Sequence, residues 1–169
     1  MLRELELKDS PLMLEWMHDP SVVKDLQANF AAKTIEDCEE FIEKSHNFEK
    51  DVHLAIVNNL DEYLGTISLK HINNGKAEFG ITIRKSAMGK GVSKKAMEEI
   101  FLLATNKYGV KEIYWCVNQK NVRAVRFYDK NGYQRIDINN SELIKEIKLH
   151  GYYSDEQIKS YIWYLYRGI

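Results

Sequence analysis

The chain has 169 residues, 44% hydrophobic and 29% charged, with two prolines and nine glycines. These proportions exclude disordered, collagen-like and low-complexity chains and predict one globular domain over residues 1–169. The formal charge of −1 speaks against a dedicated nucleic-acid binder, yet residues 1–50 sum to −6 and residues 51–169 to +5. No apolar run reaches the roughly 18 residues needed to span a bilayer. The N-terminal Met1-Leu2-Arg3-Glu4-Leu5-Glu6 alternates charge with leucine. The expectation is therefore a cytoplasmic protein without a membrane partner.

Leu2, Leu5 and Leu7 read as a first strand, and Asp9-Ser10-Pro11 supplies a cap and a first-turn proline for a helix through Leu12, Leu14, Trp16 and Met17. Asp19-Pro20 breaks it, and a short helical piece is expected from Val22 to Leu26. Thr34 and Asp37 form a capping-box pattern before Ile35, Cys38, Phe41 and Ile42, which repeat at helical spacing to about Ser45. From Val52 the period changes to two. Strands are predicted over His53 to Val57, Tyr63 to His71 and Lys76 to Arg84, the last two joined by the tight turn Asn73-Asn74-Gly75. Val92, Ala96, Met97, Ile100, Phe101 and Ala104 fall on one stripe of a long helix. Ile113 to Val117 is a compact strand, Asn121 caps a helix bearing Ala124, Val125, Phe127 and Tyr128, and Gly132 sits where a left-handed C-terminal residue belongs. Tyr133 to Ile138 and Gln157 to Tyr166 are expected as final strands. This order predicts an α+β or mixed α/β fold around one sheet.

Cys38 and Cys116 lie far apart and read as buried apolar fillers. The five histidines are scattered, so the sequence offers no metal site. The informative stretch is Met88-Gly89-Lys90-Gly91-Val92-Ser93-Lys94-Lys95, where a strand turns into the N-terminus of the long helix. Gly89 and Gly91 carry no Cβ to keep a ligand from the backbone, and the first-turn N–H groups suit an anion such as phosphate. Lys90, Lys94 and Lys95 place positive charge where the helix dipole alone favours acids, which points to a polyanion. The stretch lacks the hydroxyl of a P-loop and the third glycine of a dinucleotide fingerprint.

Met88-Gly89-Lys90-Gly91-Val92-Ser93 resembles the acetyl-CoA pyrophosphate loop, Q/R-x-x-G-x-G/A, of the GCN5-related N-acetyltransferases (GNAT), with Met88 and Ser93 departing from it. Val117 to Tyr133, with Asn121 before a helix that ends Tyr128-Asp129-Lys130-Asn131-Gly132-Tyr133, resembles the family's second signature. The Glu15 to Pro20 segment and Leu149-His150-Gly151-Tyr152-Tyr153 look like the branch of ribosomal-protein-alanine N-acetyltransferases, which also contains enzymes for amino sugars and drugs. The resemblance implies a central, mostly antiparallel twisted sheet of about seven strands flanked by helices. It implies acetyl transfer from acetyl-CoA to a primary amine by direct attack, without metal. A small amine or amino sugar is favoured, a protein N-terminus is possible, and a homodimer is possible. The alternative is a non-catalytic acyl-CoA-binding regulatory module on the same fold.

By the same resemblance, main-chain groups of Ile81, Thr82 and Ile83 orient the pantetheine and polarise the thioester carbonyl. Met88, Gly89, Lys90, Gly91, Val92, Ser93 and Lys94 cradle the pyrophosphate. Tyr128 maps onto the tyrosine that protonates the departing thiolate, its alternative being a packed helical aromatic beside Phe127. Asn121 caps its helix, touches the cosubstrate, or does both. Glu78 is the candidate base for the acceptor ammonium, directly or through water, or else a solvated or salt-bridged strand carboxylate; His53, His71 and His150 are the alternative bases, each of which also reads as structural. Arg123 and Arg126 are candidates for outer phosphates. Trp16, Tyr152, Tyr153, Trp163 and Tyr164 are candidates for the core, an acceptor wall or a dimer face.

Overall fold

A computed structural model describes residues 1–47, 49–139 and 141–168. One seven-stranded sheet has the order β1-β2-β3-β4-β5-β7-β6, with β1 at Leu2–Glu4, β2 at Val52–Val57, β3 at Tyr63–Asn73, β4 at Lys76–Ile83, β5 at Glu112–Asn118, β6 at Gln134–Arg135 and β7 at Tyr161–Arg167. Every neighbouring pair is antiparallel except β4 and β5. A mixed α/β fold with a mostly antiparallel sheet of seven strands is what the sequence led one to expect.

The β3–β4 hairpin closes on Asn74 (φ 48°) and Gly75 (φ 72°), with Asn73 opposite Lys76. Two successive positive φ values match the right-handed twist of the flanking strands, and Asn-Gly tolerates both. Parallel β4 and β5 need a crossover, provided by α4 at Val92–Tyr108. Its apolar stripe of Ala96, Met97, Ile100, Phe101 and Ala104 is buried against Phe79, Trp115 and neighbours on one sheet face, joined by Tyr128 of α5 at Val122–Lys130. Helices α1 at Ser10–Met17, α2 at Pro20–Val23 and α3 at Ile35–Ser45 cover the opposite face beside β2 and β3. The Thr34 cap of α3 is the expected one, with Asp37 answering in a capping box. Helices α6 at Glu142–His150 and α7 at Asp155–Ser160 cover that same face beside β5 and β7, around Tyr114, Ile144 and Trp163.

Four local expectations need correction. The first strand ends at Glu4, and Leu7–Asp9 is a 3₁₀ turn in which Asp9 accepts from Glu6 N–H at 2.9 Å. The helical piece after Pro20 ends at Val23. Of the predicted Tyr133–Ile138 strand, only Gln134–Arg135 forms the strand β6; Ile136 N–H still donates to Trp163 O of β7 at 2.9 Å, and the Ile136 and Ile138 side chains pack under α6 and α7. Residues 155–160 are helical because Ser154 and Gln157 form a capping box, which outweighs the strand preference of the aromatic run after Ile158.

Candidate functional site

The β4–β5 pairing stops at Glu78 opposite Tyr114, so the two strands part over Phe79–Ile83 and Trp115–Asn118. Arg84 N–H donates to Leu64 O at 2.8 Å, continuing the β3–β4 ladder. Antiparallel alternation then commits the main chain of Thr82 to Thr66, while Ile81 and Ile83 turn their N–H and C=O away from β3 into the gap. Of the three residues expected to offer main-chain groups, two therefore do so, and Thr82 lines the opening. Arg84, at the end of β4, is buried and fixed by Glu15 (3.0 and 3.1 Å), Glu62 (2.8 Å) and the Tyr63 carbonyl (3.1 Å). These bonds anchor the point where the glycine turn leaves the sheet.

In that turn Gly89 (φ 75°) and Gly91 (φ 76°) are both left-handed, and a Cβ at either would meet nothing within 4 Å. Gly91 caps α4 without a side-chain acceptor, and no acid stands in the first turn. The N–H groups of Val92, Ser93 and Lys94 thus open the helix without a cap, in a cradle that fits a pyrophosphate. Met88, Gly89 and Ser93 line a groove of about 290 Å³ with Ile81, Ile83 and Phe127. Lys90, Gly91 and Lys94 are exposed outside the groove lining, and the Val92 side chain packs into the core. Arg123 of α5 reaches across the groove to Met88 Sδ at 2.6 Å.

The groove continues past Ile81, Thr82, Asn121 and Tyr128 into a second space of about 320 Å³ that reaches Glu78. Asn121 accepts from Ala124 N–H at 3.2 Å, so it caps α5 and lines the groove at once. Tyr128 stands at the junction of the two spaces, 6% exposed, and burial pushes its phenol well above the usual tyrosine range.

At the far end Glu78 is 3% exposed on the face opposite α4. Its Oε1 accepts from Lys70 Nζ at 3.2 Å and from the Tyr153 hydroxyl, and its Oε2 lies 3.0 Å from His71 Nδ1. Burial holds the Tyr153 phenol far above the usual range, which keeps it a donor. Asp25, Gln27 and Phe30, from the segment after α2, close the other wall. Cys116 also lines this space instead of filling the core: Gln27 Nε2 lies 3.2 Å from its Sγ, and burial pushes its thiol up to about 11. Cys38 is the buried filler expected. Trp16, Trp163 and Tyr164 belong to the core, and Tyr152 is exposed. Lys70 was not singled out, and His71 and Tyr153 were read only as an alternative base and as a candidate wall aromatic, because only the hairpin and the α6–α7 connection bring all three to Glu78. Among the described residues no group of three or more His, Cys, Asp or Glu is placed to hold a metal ion.

A parted parallel strand pair beside an uncapped helix N-terminus can hold an extended ligand with its phosphate at the helix end. The acetyltransferase (GNAT) domain model matches residues 1–134, and the chain belongs to that family. It is accordingly an acetyl-CoA-dependent N-acetyltransferase. The chain is 23% identical over 141 residues to the uncharacterized N-acetyltransferase p20 of Bacillus licheniformis, covering 79% of this chain and 78% of that one. Its fold resembles the spermidine N-acetyltransferase of Vibrio cholerae in complex with CoA and spermine, with TM-score 0.71 and 20% identity over 81% of this chain and 82% of that one. A GNAT-family acetyltransferase of Bacillus anthracis gives TM-score 0.74 and 17% identity over 98% and 93%. The relatives do not single out the ribosomal-protein-alanine branch. No helix among the described residues is long and apolar enough to cross a membrane.

Proposed function

We propose that the protein acetylates a small cationic primary amine, with Glu78 taking the proton of the acceptor ammonium and Tyr128 giving one to the departing thiolate. The observation that carries this reading is a single groove with Tyr128 midway, the uncapped N-terminus of α4 at one end and the buried carboxylate of Glu78 at the other. Bound acetyl-CoA supplies the activated acyl group. The N–H groups of Val92, Ser93 and Lys94 hold its pyrophosphate, and the gap-facing main chain of Ile81 and Ile83 orients its pantetheine. Tyr128 keeps its proton throughout the working pH range, because its buried hydroxyl ionises only with difficulty. The same surroundings raise the neighbouring thiol of Cys116, so burial disfavours a thiolate there as well as a phenolate. With both raised, transfer from the phenol to the thiolate stays modestly uphill, as it is for the free groups.

A small amine is favoured over a protein N-terminus because Phe30 and Tyr153 wall an acceptor space of only about 320 Å³. Asp25 and Glu78 suit a cation there, and polyamine acetyltransferases of similar fold make polyamines the first acceptors to test. The experiment follows thiol release from acetyl-CoA with spermidine, spermine, glucosamine and a peptide with a free N-terminus. Turnover of the small amines above the peptide is expected. Tyr128→Phe should lower kcat by roughly 100-fold with little change in KM for acetyl-CoA. Preference for the peptide would overturn the acceptor assignment, and an unchanged kcat in Tyr128→Phe the acid assignment.

A further inference from the structure

Lys70 and His71 are consecutive residues of β3, and in a regular strand their side chains would point to opposite faces. Both nonetheless reach the same carboxylate: Lys70 Nζ lies 3.2 Å from Glu78 Oε1 and His71 Nδ1 lies 3.0 Å from Glu78 Oε2. The cause is a bulge. The β3–β4 register shifts between Lys70 and Asn73, and His71 sits at φ 54°, a left-handed conformation that is strained for a non-glycine residue. Asp51 holds the strained backbone by accepting from His71 N–H at 2.8 Å, and Ile72 N–H donates to Lys50 O at 2.9 Å. The imidazole is further fixed by the ring of Tyr152, stacked on it at 3.8 Å between centroids and 2° between planes, with His150 on the far side of Tyr152.

We infer that His71 is a positioning residue that aims the Glu78 carboxylate at the acceptor amine. This rests on the reading of Glu78 as the base. A carboxylate offers about four lone-pair sites. Lys70 and the Tyr153 hydroxyl take the two on Oε1, and His71 takes one on Oε2, leaving among the described residues one Oε2 site to receive the ammonium proton. Removing the His71 bond frees the carboxylate to rotate and loses that direction, while the groove that holds acetyl-CoA is untouched. The charged and titratable groups around His71 are Lys70 on its own strand, Asp51 before β2, Lys76 and Glu78 on β4, Tyr114 on β5, and Glu146, His150, Tyr152 and Tyr153 on or after α6. Behind its ring lies a separate cavity of about 260 Å³ lined also by Lys76, Glu146 and Tyr114, so a small molecule can reach the imidazole position from outside the groove.

The test uses the full chain with the best amine found above. Asparagine tolerates the left-handed conformation, so His71→Asn removes the imidazole while keeping the bulge. The expected result is a loss of at least about 10-fold in kcat, an unchanged KM for acetyl-CoA, and a displaced pH profile of kcat/KM for the amine. His71→Gly, which suits φ 54° better still, should lose the same activity and regain part of it with added imidazole. In Glu78→Gln, already slow, adding His71→Asn should cost nothing further. Wild-type kcat in both His71 variants, or an equal loss in the presence and absence of Glu78, would overturn the assignment of His71 alone. Full activity in Glu78→Gln would overturn the base reading together with it.

Discussion

His53 of β2 contrasts with His71, since the two lie on neighbouring strands and serve different ends. Its Nδ1 lies 2.7 Å from Ser68 Oγ, the Phe41 ring of α3 packs over it at 4.9 Å, and burial holds its pKa below the usual histidine value near 6.5. A depressed folded-state value means that the neutral form is favoured by folding. The stability this contributes is full above the unfolded value and is lost as pH falls through the folded one. Urea unfolding at pH 7.5 and pH 5 should show a smaller acid-induced loss in His53→Gln than in the wild type. An equal loss would place the acid sensitivity elsewhere. Cys116 shows how far a single side chain can differ from its sequence reading: as a lone apolar-strand cysteine it suggested filler, yet it faces the acceptor space because β5 has parted from β4 there.

At the scale of elements, the N-terminus of α4 is built against its own helical preferences. It has neither a side-chain cap nor an acid in its first turn, although α3 and α7 both have capping boxes and acids there. Ser93→Asp separates stability from binding, because the two effects have opposite sign. An acid at this position interacts favourably with the dipole by about 0.5 kcal/mol, so the melting temperature of the unliganded protein should hold or rise. The same charge repels a pyrophosphate, and acetyl-CoA affinity should fall by at least about 10-fold, equivalent to about 1.4 kcal/mol. Titration calorimetry beside thermal melting reads both. A fall in both together would point to a damaged helix instead of a lost anion site.

Over the whole molecule, the sheet divides the work between its two faces. The α4 and α5 side carries the core with Phe79, Trp115 and Tyr128, and the other side carries Glu78, Cys116 and the covers α1–α3 and α6–α7. The +5 portion of the chain contains the glycine turn, and the −6 portion contributes Asp25 to the acceptor wall. Exposed Lys90, Lys94 and Lys95 would act on an anion bound at the turn through solvent, where salt screens them. Raising ionic strength from 0.05 to 0.5 M should therefore weaken CoA binding several-fold. A dissociation constant that does not move would remove these lysines from the account.

The sequence by itself determined the element types wherever a local signal was strong: the Asn74-Gly75 turn, the Thr34 and Asn121 caps, the stripe of α4 and the two glycines before it. Each depends on contacts within a few residues, so no knowledge of partners was needed. Gly89, Ser93 and Asn121 were legible as site candidates from the glycine turn and the cap, Glu78 from its place on the strand leading to that turn, and Ile81 and Tyr128 only through the family resemblance; all six line the groove. The extension of a strand over residues 136–138 and the reading of residues 157–160 as strand were wrong because strand length depends on the neighbouring strand, and a cap can override propensity. Only the tertiary structure decided the parting of β4 from β5 and the meeting of Lys70, His71 and Tyr153 on Glu78. Tyr153 is 75 residues from Glu78, and the side of the strand taken by His71 is set by a bulge that pairing with β4 defines. Such contacts arise from register and packing, which no local pattern of residues encodes.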